Sequence, residues 1–369
     1  MDQAALDGVV RRFGGVVEDI YPLTALQQGM VFHGQLSSDA GMYWVQNGLL
    51  LEGELDVGAL RRAWELVFAR YEVLRSGVVW EGVPRPLAVV SRSVSLPWEV
   101  LDFSLLEEGV RRGRVEEFLA GDWARGADFS AGSLVRLVLI RLGEGRHQLV
   151  WSYHHLLLDG WSVPLVLGEV LEAYHAFRVG GRPGVVVRAP FRDFVGWVVG
   201  QDVGEARGYW GGRLAGFVEP TVLGVERVTG EVGSGDVRVG LSSVVAGGGV
   251  AGFARRHRLT LNTVVQGAWA LVLSLYAGSD DVVFGVTSSG RGGQIDGMDS
   301  MVGLLLNTTP VRVGVERDCS VVEWLAGLQD EQVRARRFEH TPLVTIAECS
   351  ELPPGQALFN TLFVFENYP

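Results

Sequence analysis

Lysine is missing altogether: all 32 side chains of the Lys/Arg class are arginine. Together with abundant glycine, valine and alanine, this is the codon signature of a G+C-rich genome and carries no mechanism. No basic run is long enough to track phosphates, and the formal net charge is −11, which excludes nucleic acid as a partner. Cysteine is nearly as scarce. Cys319 and Cys349 stand far apart without Cys-x-x-Cys spacing, so neither a disulfide framework nor a zinc site is supported, and no metal is expected. Long hydrophobic runs are lacking too. No stretch reaches spanning length, and the opening Met1-Asp2-Gln3-Ala4-Ala5-Leu6 is neither a charged n-region nor an apolar h-region. The expectation is a soluble, cytoplasmic protein that engages no membrane. What is present is size and core: 369 residues, 47% of them hydrophobic, enough for two domains with separate cores.

The densest chemistry lies in Tyr153-His154-His155-Leu156-Leu157-Leu158-Asp159-Gly160-Trp161-Ser162. At average residue usage, a His-His-x-x-x-Asp-Gly pattern arises by chance on the order of once per thousand chains of this length. Before it, short apolar runs at 134–140 and 149–153 are joined by Leu142-Gly143-Glu144-Gly145-Arg146 and read as a buried hairpin. After it, Ser162 is placed to cap a helix with Pro164 in its first turn, and Leu167, Val170, Leu171, Tyr174 and Phe177 recur at helical spacing. The histidines therefore sit between a strand end and a helix start, a junction that aims side chains from rigid elements. A lone histidine in an apolar stretch is more often a satisfied core residue. Two on consecutive strand positions face opposite sides, and only one shares the core. His155 is accordingly assigned to the open side as general base, and His154 to a supporting role.

Along the chain, residues 1–18 read as a linker. A first α/β region spans 19–178, with a helix at 56–71, strands near 44–51 and 76–80, a helix near 105–119, and the hairpin. Val179-Gly180-Gly181-Arg182-Pro183-Gly184 is dense in chain breakers and marks the domain boundary. The second region, 185–369, has a similar α/β make-up. It carries a helix at 260–276, a strand at 282–288, a glycine-rich loop at 289–299, a strand at 304–313, and a helix opening on the capping-box spacing Ser320 to Glu323. Residues 230–235 and 247–249 carry loop signals.

At this point the residues resemble the condensation domains of nonribosomal peptide synthetases, over nearly the whole chain. Tyr21-Pro22-Leu23-Thr24-Ala25-Leu26-Gln27-Gln28-Gly29-Met30 is similar to the family's first core motif. Arg70-Tyr71-Glu72-Val73-Leu74-Arg75 is similar to the second, with Tyr71 where the family usually has His. The double-histidine segment is the third, and residues 191–197 resemble the fourth. Val302-Gly303-Leu304-Leu305-Leu306-Asn307-Thr308 resembles the fifth, and Glu339-His340-Thr341-Pro342-Leu343 and residues 359–367 the last two.

The resemblance implies an α/β fold of two chloramphenicol-acetyltransferase-like subdomains arranged in a V, with a tunnel between them and the active site at its floor. It implies amide bond formation between a donor thioester and the α-amine of an acceptor. Both would be carried on phosphopantetheine arms of peptidyl carrier proteins, upstream donor and downstream acceptor, with adjacent synthetase domains as further partners and no cofactor bound directly. Residues 21–30, 156–158 and 363–367 look more like the class taking a D-configured donor. The resemblance also leads one to expect further strands and a terminal helix after Pro369.

The candidate catalytic set is His155, His154, Asp159 and Gly160, with Arg75, Arg291, Asn307, Trp161 and Gln27 as tunnel-lining or supporting residues. Imidazole as a group titrates near neutrality and suits deprotonating or positioning an amine. Asp159 reads as an orienting carboxylate that needs a buried cation. Arg75 is favoured over Arg291 as that cation. Gly160 lets backbone approach, and its N–H with the following helix start is the candidate oxyanion donor. Asn307 satisfies backbone groups or serves function with equal weight, and Gln27 lines the tunnel or lies on a helix surface. The stretch Ser289-Gly290-Arg291-Gly292-Gly293 lacks the Lys-Ser/Thr ending of a phosphate loop. An epimerisation domain, a non-catalytic recruitment domain and a small-molecule acyltransferase remain as alternatives on the same scaffold.

Overall fold

The computed structural model describes residues 3–36, 39–129, 133–223 and 246–366. Two compact units emerge. The first gathers Met1–Gln201 with Arg291–Leu305, the second Asp202–Gly290 with Leu306–Asn367.

The first unit runs α1 (Gln3–Arg12), β1 (Val17–Pro22), α2 (Ala25–Leu36), β2 (Trp44–Glu52), α3 (Val57–Arg70), β3 (Ser76–Val79), β4 (Leu87–Ser91), β5 (Trp98–Asp102), α4 (Glu108–Arg125), β6 (Val135–Gly143), β7 (Arg146–His154), α5 (Ser162–Arg178) and α6 (Phe191–Val199). Its larger sheet has the order β2-β7-β6-β5, antiparallel except for the β5–β6 pair. The expected hairpin is β6–β7, and its tight link takes positive φ at Gly143, Glu144 and Gly145. Period-2 alternation gives β7 two buried faces. Trp151 meets Trp64 of α3 edge-on at 5.0 Å between ring centroids, while Val150 packs with Val138, Ile140 and the α4 residues Val115, Phe118 and Leu119. The smaller sheet, β1-β4-β3, is antiparallel.

Two expectations about boundaries are corrected. Residues 1–18 are not a linker: Val9 of α1 is buried with Val79 and Val89 of the smaller sheet, and Phe13, just past the helix, packs against the same cluster. The breaker-rich stretch at 179–184 does not separate the units. Beyond it Arg188 Nε donates to Glu169 of α5 at 2.8 Å, and Phe191 lies edge-on to Tyr21 of β1 at 6.3 Å. Glycine and proline there mark a loop crossing the unit's own surface.

The second unit runs α7 (Val203–Leu214), α8 (Ala246–Arg256), α9 (Leu261–Ala277), β8 (Asp281–Ser288), β9 (Asn307–Gly314), α10 (Val321–Ala335), α11 (Leu343–Ala347) and β10 (Leu362–Phe363), with sheet order β10-β8-β9. Alternation again divides β8. Val282 and Phe284 join Ala270, Leu273, Leu325 and Leu328 on one face, and Val283 joins Trp210, Leu214 and Ile346 on the other. The capping box at Ser320 and Glu323 is formed. Residues 247–249, expected as loop, fall in the first turn of α8. Glycine costs about 1 kcal/mol per residue in a helix, but Phe253 and Ala254 of the same helix pack into the core and offset it. The stretch 230–235 lies outside the described residues.

Among the described residues no single helix is long and apolar enough to cross a membrane.

Candidate functional site

β7 ends at His154, which pairs in register with Trp44 of β2. The two histidines therefore part company because the strand stops between them, rather than by alternation along it. His154 is 1% exposed, with its ring edge-on to Phe129 at 5.0 Å and tilted on Tyr43 at 6.1 Å. Its Nδ1 accepts the Leu156 N–H at 3.2 Å, which assigns the ring proton to Nε2. Burial, with the neighbouring His155 adding to it, pushes its pKa down to about 3, so the ring is neutral and supports the turn. His155 stands in that turn, half-buried. Its backbone N–H donates to the Tyr43 C=O at 2.8 Å, and its Nδ1 is buried without a hydrogen-bond partner.

The His154 shift has a sign that acid titration reads. An ordinary imidazole in the unfolded chain takes its proton near pH 6.5, the folded ring only near pH 3. Stability from keeping the ring neutral is therefore complete above that upper value. It is lost as pH falls, by about 1.4 kcal/mol per pH unit for this group. His154→Asn retains an acceptor for the Leu156 N–H without a titrating ring, and urea unfolding at about pH 6, 5 and 4 is expected to show a flatter acid limb. An unchanged limb contradicts the assignment.

Asp159 is fully buried and holds the motif to a segment far along the chain. Its Oδ1 accepts the Ser162 N–H at 2.8 Å and the Ser162 hydroxyl at 2.7 Å, and its Oδ2 accepts the Leu305 N–H at 3.2 Å. Arg291 Nη2 lies 2.9 Å from both oxygens, and Arg291 Nη1 donates to the carbonyls of Met298 and Met301 at 3.1 and 2.8 Å. Around this pair the Asp159 N–H donates to the Gly303 C=O at 3.2 Å, and the Ser162 hydroxyl oxygen accepts the Gly303 N–H at 3.0 Å. A Cβ on Gly303 would stand 2.2 Å from the Phe191 ring, so only glycine fits. Asp159 thus holds backbone of both segments in place.

The expectation that Arg75 pairs with Asp159 is corrected. Arg75 lies in the 3-10 turn entering β3, where Nη1 reaches the Ser91 C=O and Glu18 across the end of the smaller sheet. Arg291 takes the role instead. Ser162 is also not the helix cap: Trp161, half-buried, occupies the cap position and Ser162 is the first helical residue, its N–H satisfied by Asp159. The first N–H of the helix start, expected to join Gly160 as oxyanion donor, is therefore already engaged. Among the described residues no hydrogen bond engages the Gly160 N–H.

Gln27, expected on a tunnel wall or helix surface, is buried at 3% exposure. Its Nε2 donates to the Leu156 C=O at 2.8 Å and its Oε1 accepts the Thr24 N–H at 2.9 Å, which makes it a tether for the turn carrying His155. Gln27→Ala leaves both backbone groups unsatisfied and is expected to cost about 1–3 kcal/mol in denaturant unfolding; a loss below a few tenths would contradict the tether. Asn307 belongs to the second unit, where Nδ2 donates to the Glu339 and Thr341 carbonyls at 2.6 and 2.9 Å, fixing the start of β9.

One cluster escaped sequence reasoning. The Tyr71 hydroxyl, Arg70 and Arg188 all converge on the Glu169 carboxylate. Burial alone would raise that pKa, but the donors from Tyr71, Arg188 and Arg70 outweigh it and hold it below the usual range. Tyr71 at a position where the family usually has His was the available signal. The site thus presents an imidazole whose Nδ1 has no hydrogen-bond partner among the described residues, on a backbone anchored at both neighbours.

Comparison with known proteins identifies the family. The family model described as Condensation domain matches residues 17–369. A linear gramicidin synthase of Brevibacillus parabrevis is 42% identical over 375 residues, covering 100% of this chain and 5% of that protein. Bacitracin synthase 1 of Bacillus licheniformis is 32% identical over 355 residues, covering 95% of this chain and 7% of that one. The chain thus spans only about a twentieth of the length of such curated relatives. Among solved structures, the starter condensation domain of rhizomide synthetase superposes with a TM-score of 0.76 at 20% identity, over 94% of this chain and 78% of that one. The first condensation domain of the CDA synthetase gives 0.71 at 23%, over 95% and 83%. Those two share the fold. With a motif built as described and a family match from β1 onward, this chain belongs to the condensation-domain family of nonribosomal peptide synthetases, enzymes of amide bond formation.

Proposed function

We propose that the chain joins two carrier-borne groups, with His155 handling the proton of the attacking amine. The acceptor's α-amine nitrogen attacks the donor's thioester carbonyl. The C–S bond breaks, the donor arm's thiol departs, and the amine proton passes to the imidazole and on to sulfur or solvent. The single observation that carries this reading is the placement of His155, half-buried just past the end of β7 with no hydrogen bond to its Nδ1 among the described residues. Two tethered reactants held at attack distance supply much of the rate, and the base adds to it. Gly160 N–H serves as the oxyanion donor in this reading. The substrates ride on phosphopantetheine arms of an upstream donor and a downstream acceptor carrier, within a larger synthetase. The donor is read as D-configured and the acceptor as L, on the resemblance at residues 21–30, 156–158 and 363–367.

The test loads a donor carrier with the D and the L form of each member of an aminoacyl panel, and an acceptor carrier with L-aminoacyl groups, and follows dipeptidyl carrier by intact mass. Faster product from D-donors is expected. Product from L-donors alone removes the stereochemical reading. No product from any pair removes condensation, and deuterium uptake at the donor α-carbon without product would point to epimerisation.

A further inference from the structure

We propose that Tyr43 is a positioning residue for transfer: its left-handed backbone turns its carbonyl onto the His155 N–H and so sets where the imidazole stands. The inference rests on the reading of His155 as the proton-handling group. Three non-glycine residues among those described take positive φ, namely Tyr43, Glu144 and Arg258. Glu144 lies in the tight β6–β7 link and Arg258 just past the end of α8, both ordinary places for it. Tyr43, at φ 60°, is aromatic and precedes a strand, where extended backbone is the rule. Strain of this kind persists only where neighbours over-determine it, and it gathers at functional sites.

The neighbours here do so. Met42 N–H bonds the Asp39 C=O at 3.1 Å, Trp44 N–H bonds the Gly41 C=O at 2.8 Å, and Gly41 N–H bonds Asp39 Oδ1 at 2.9 Å. A Cβ on Gly41 would lie 2.1 Å from Trp123 Nε1, so the indole of α4 seats directly on the turn. On the other side the Tyr43 hydroxyl lies 3.3 Å from His33 Nδ1 of α2. The result is that β2 begins only at Trp44, yet the carbonyl preceding it accepts the His155 N–H at 2.8 Å. Immediately after His155, Leu156 is fixed at both ends: its N–H by His154 Nδ1 and its C=O by Gln27 Nε2. Backbone is thus clamped before and after His155, and the only clamp that demands a rare backbone conformation is Tyr43.

The test compares Tyr43→Val with Tyr43→Asn. Both lose the ring, so its packing cancels between them, whereas asparagine tolerates positive φ and a β-branched residue does not. Rates are measured with the carrier-bound aminoacyl pair that the wild-type chain converts fastest, at saturating carrier, beside amide hydrogen exchange at His155. Tyr43→Val is expected to lower the saturated rate at least tenfold with KM little changed, and to lose His155 amide protection. Tyr43→Asn is expected to stay within about threefold of wild type on both readouts. Equal rates and equal protection in the two variants overturn the inference. His155→Ala run in the same series separates the failures: a wild-type rate there sinks the role of His155, while a slow His155→Ala beside matching Tyr43 variants sinks only the role of Tyr43.

Discussion

Asp159→Asn is expected to destabilise the folded chain by about 3–5 kcal/mol, the range for breaking a buried ion pair from one side. The Arg291 and Asp159 side chains are 5% and 0% exposed, so the guanidinium would remain buried without its counter-charge. Asparagine cannot replace the carboxylate, because every group that touches it is a donor: the Ser162 N–H and hydroxyl, the Leu305 N–H and Arg291 Nη2. One half of the new amide would point its own donors at them. Removing both charges, as in Asp159→Leu with Arg291→Met, often restores stability for simple buried pairs. Here recovery is expected to be incomplete, since the Leu305 N–H stays orphaned at about 1–3 kcal/mol, while the Ser162 N–H keeps the Asp159 C=O at 3.1 Å. Urea unfolding of the two variants checks this, and full recovery in the double variant would mean that the carboxylate serves only the arginine.

His155→Ala is expected to do the opposite: to slow transfer and leave the fold. The ring Nδ1 has no hydrogen-bond partner among the described residues, and the backbone N–H that Tyr43 accepts survives in alanine. Its stability cost should stay under about 1 kcal/mol. Positioned general bases contribute roughly 100- to 10,000-fold. The lower end is expected, because two tethered thioesters already share the advantage of proximity. A variant that melts early and is slow in proportion would show scaffolding, whereas a slow variant with native melting separates chemistry from fold.

Local pattern foretold local structure well. The β6–β7 hairpin, α3 between Asp56 and Tyr71, and the Ser320–Glu323 capping box all follow from periodicity and end signals within a dozen residues. What stayed hidden was closure between distant segments. Asp159 and Arg291 are 132 positions apart, and nothing in the composition of residues 291–305 shows that they return to the first unit. Arg75 was the nearer and more conspicuous cation, yet Glu18 and the Ser91 carbonyl already occupied it. Gln27 looked like a surface residue because α2 is only weakly patterned, and its partner is the backbone of Leu156, which no side-chain pattern reveals. The histidine motif was legible by rarity, but the end of β7 between its two rings was not. Boundary positions are where tertiary contacts override propensity.

The role of His155 is tested most directly by the rate of dipeptidyl-carrier formation in His155→Ala, measured in single turnover by intact mass of the acceptor carrier, beside wild type of matched melting. The predicted result is a rate at least about a hundredfold lower, with both carriers still loaded. A rate within twofold of wild type would contradict it.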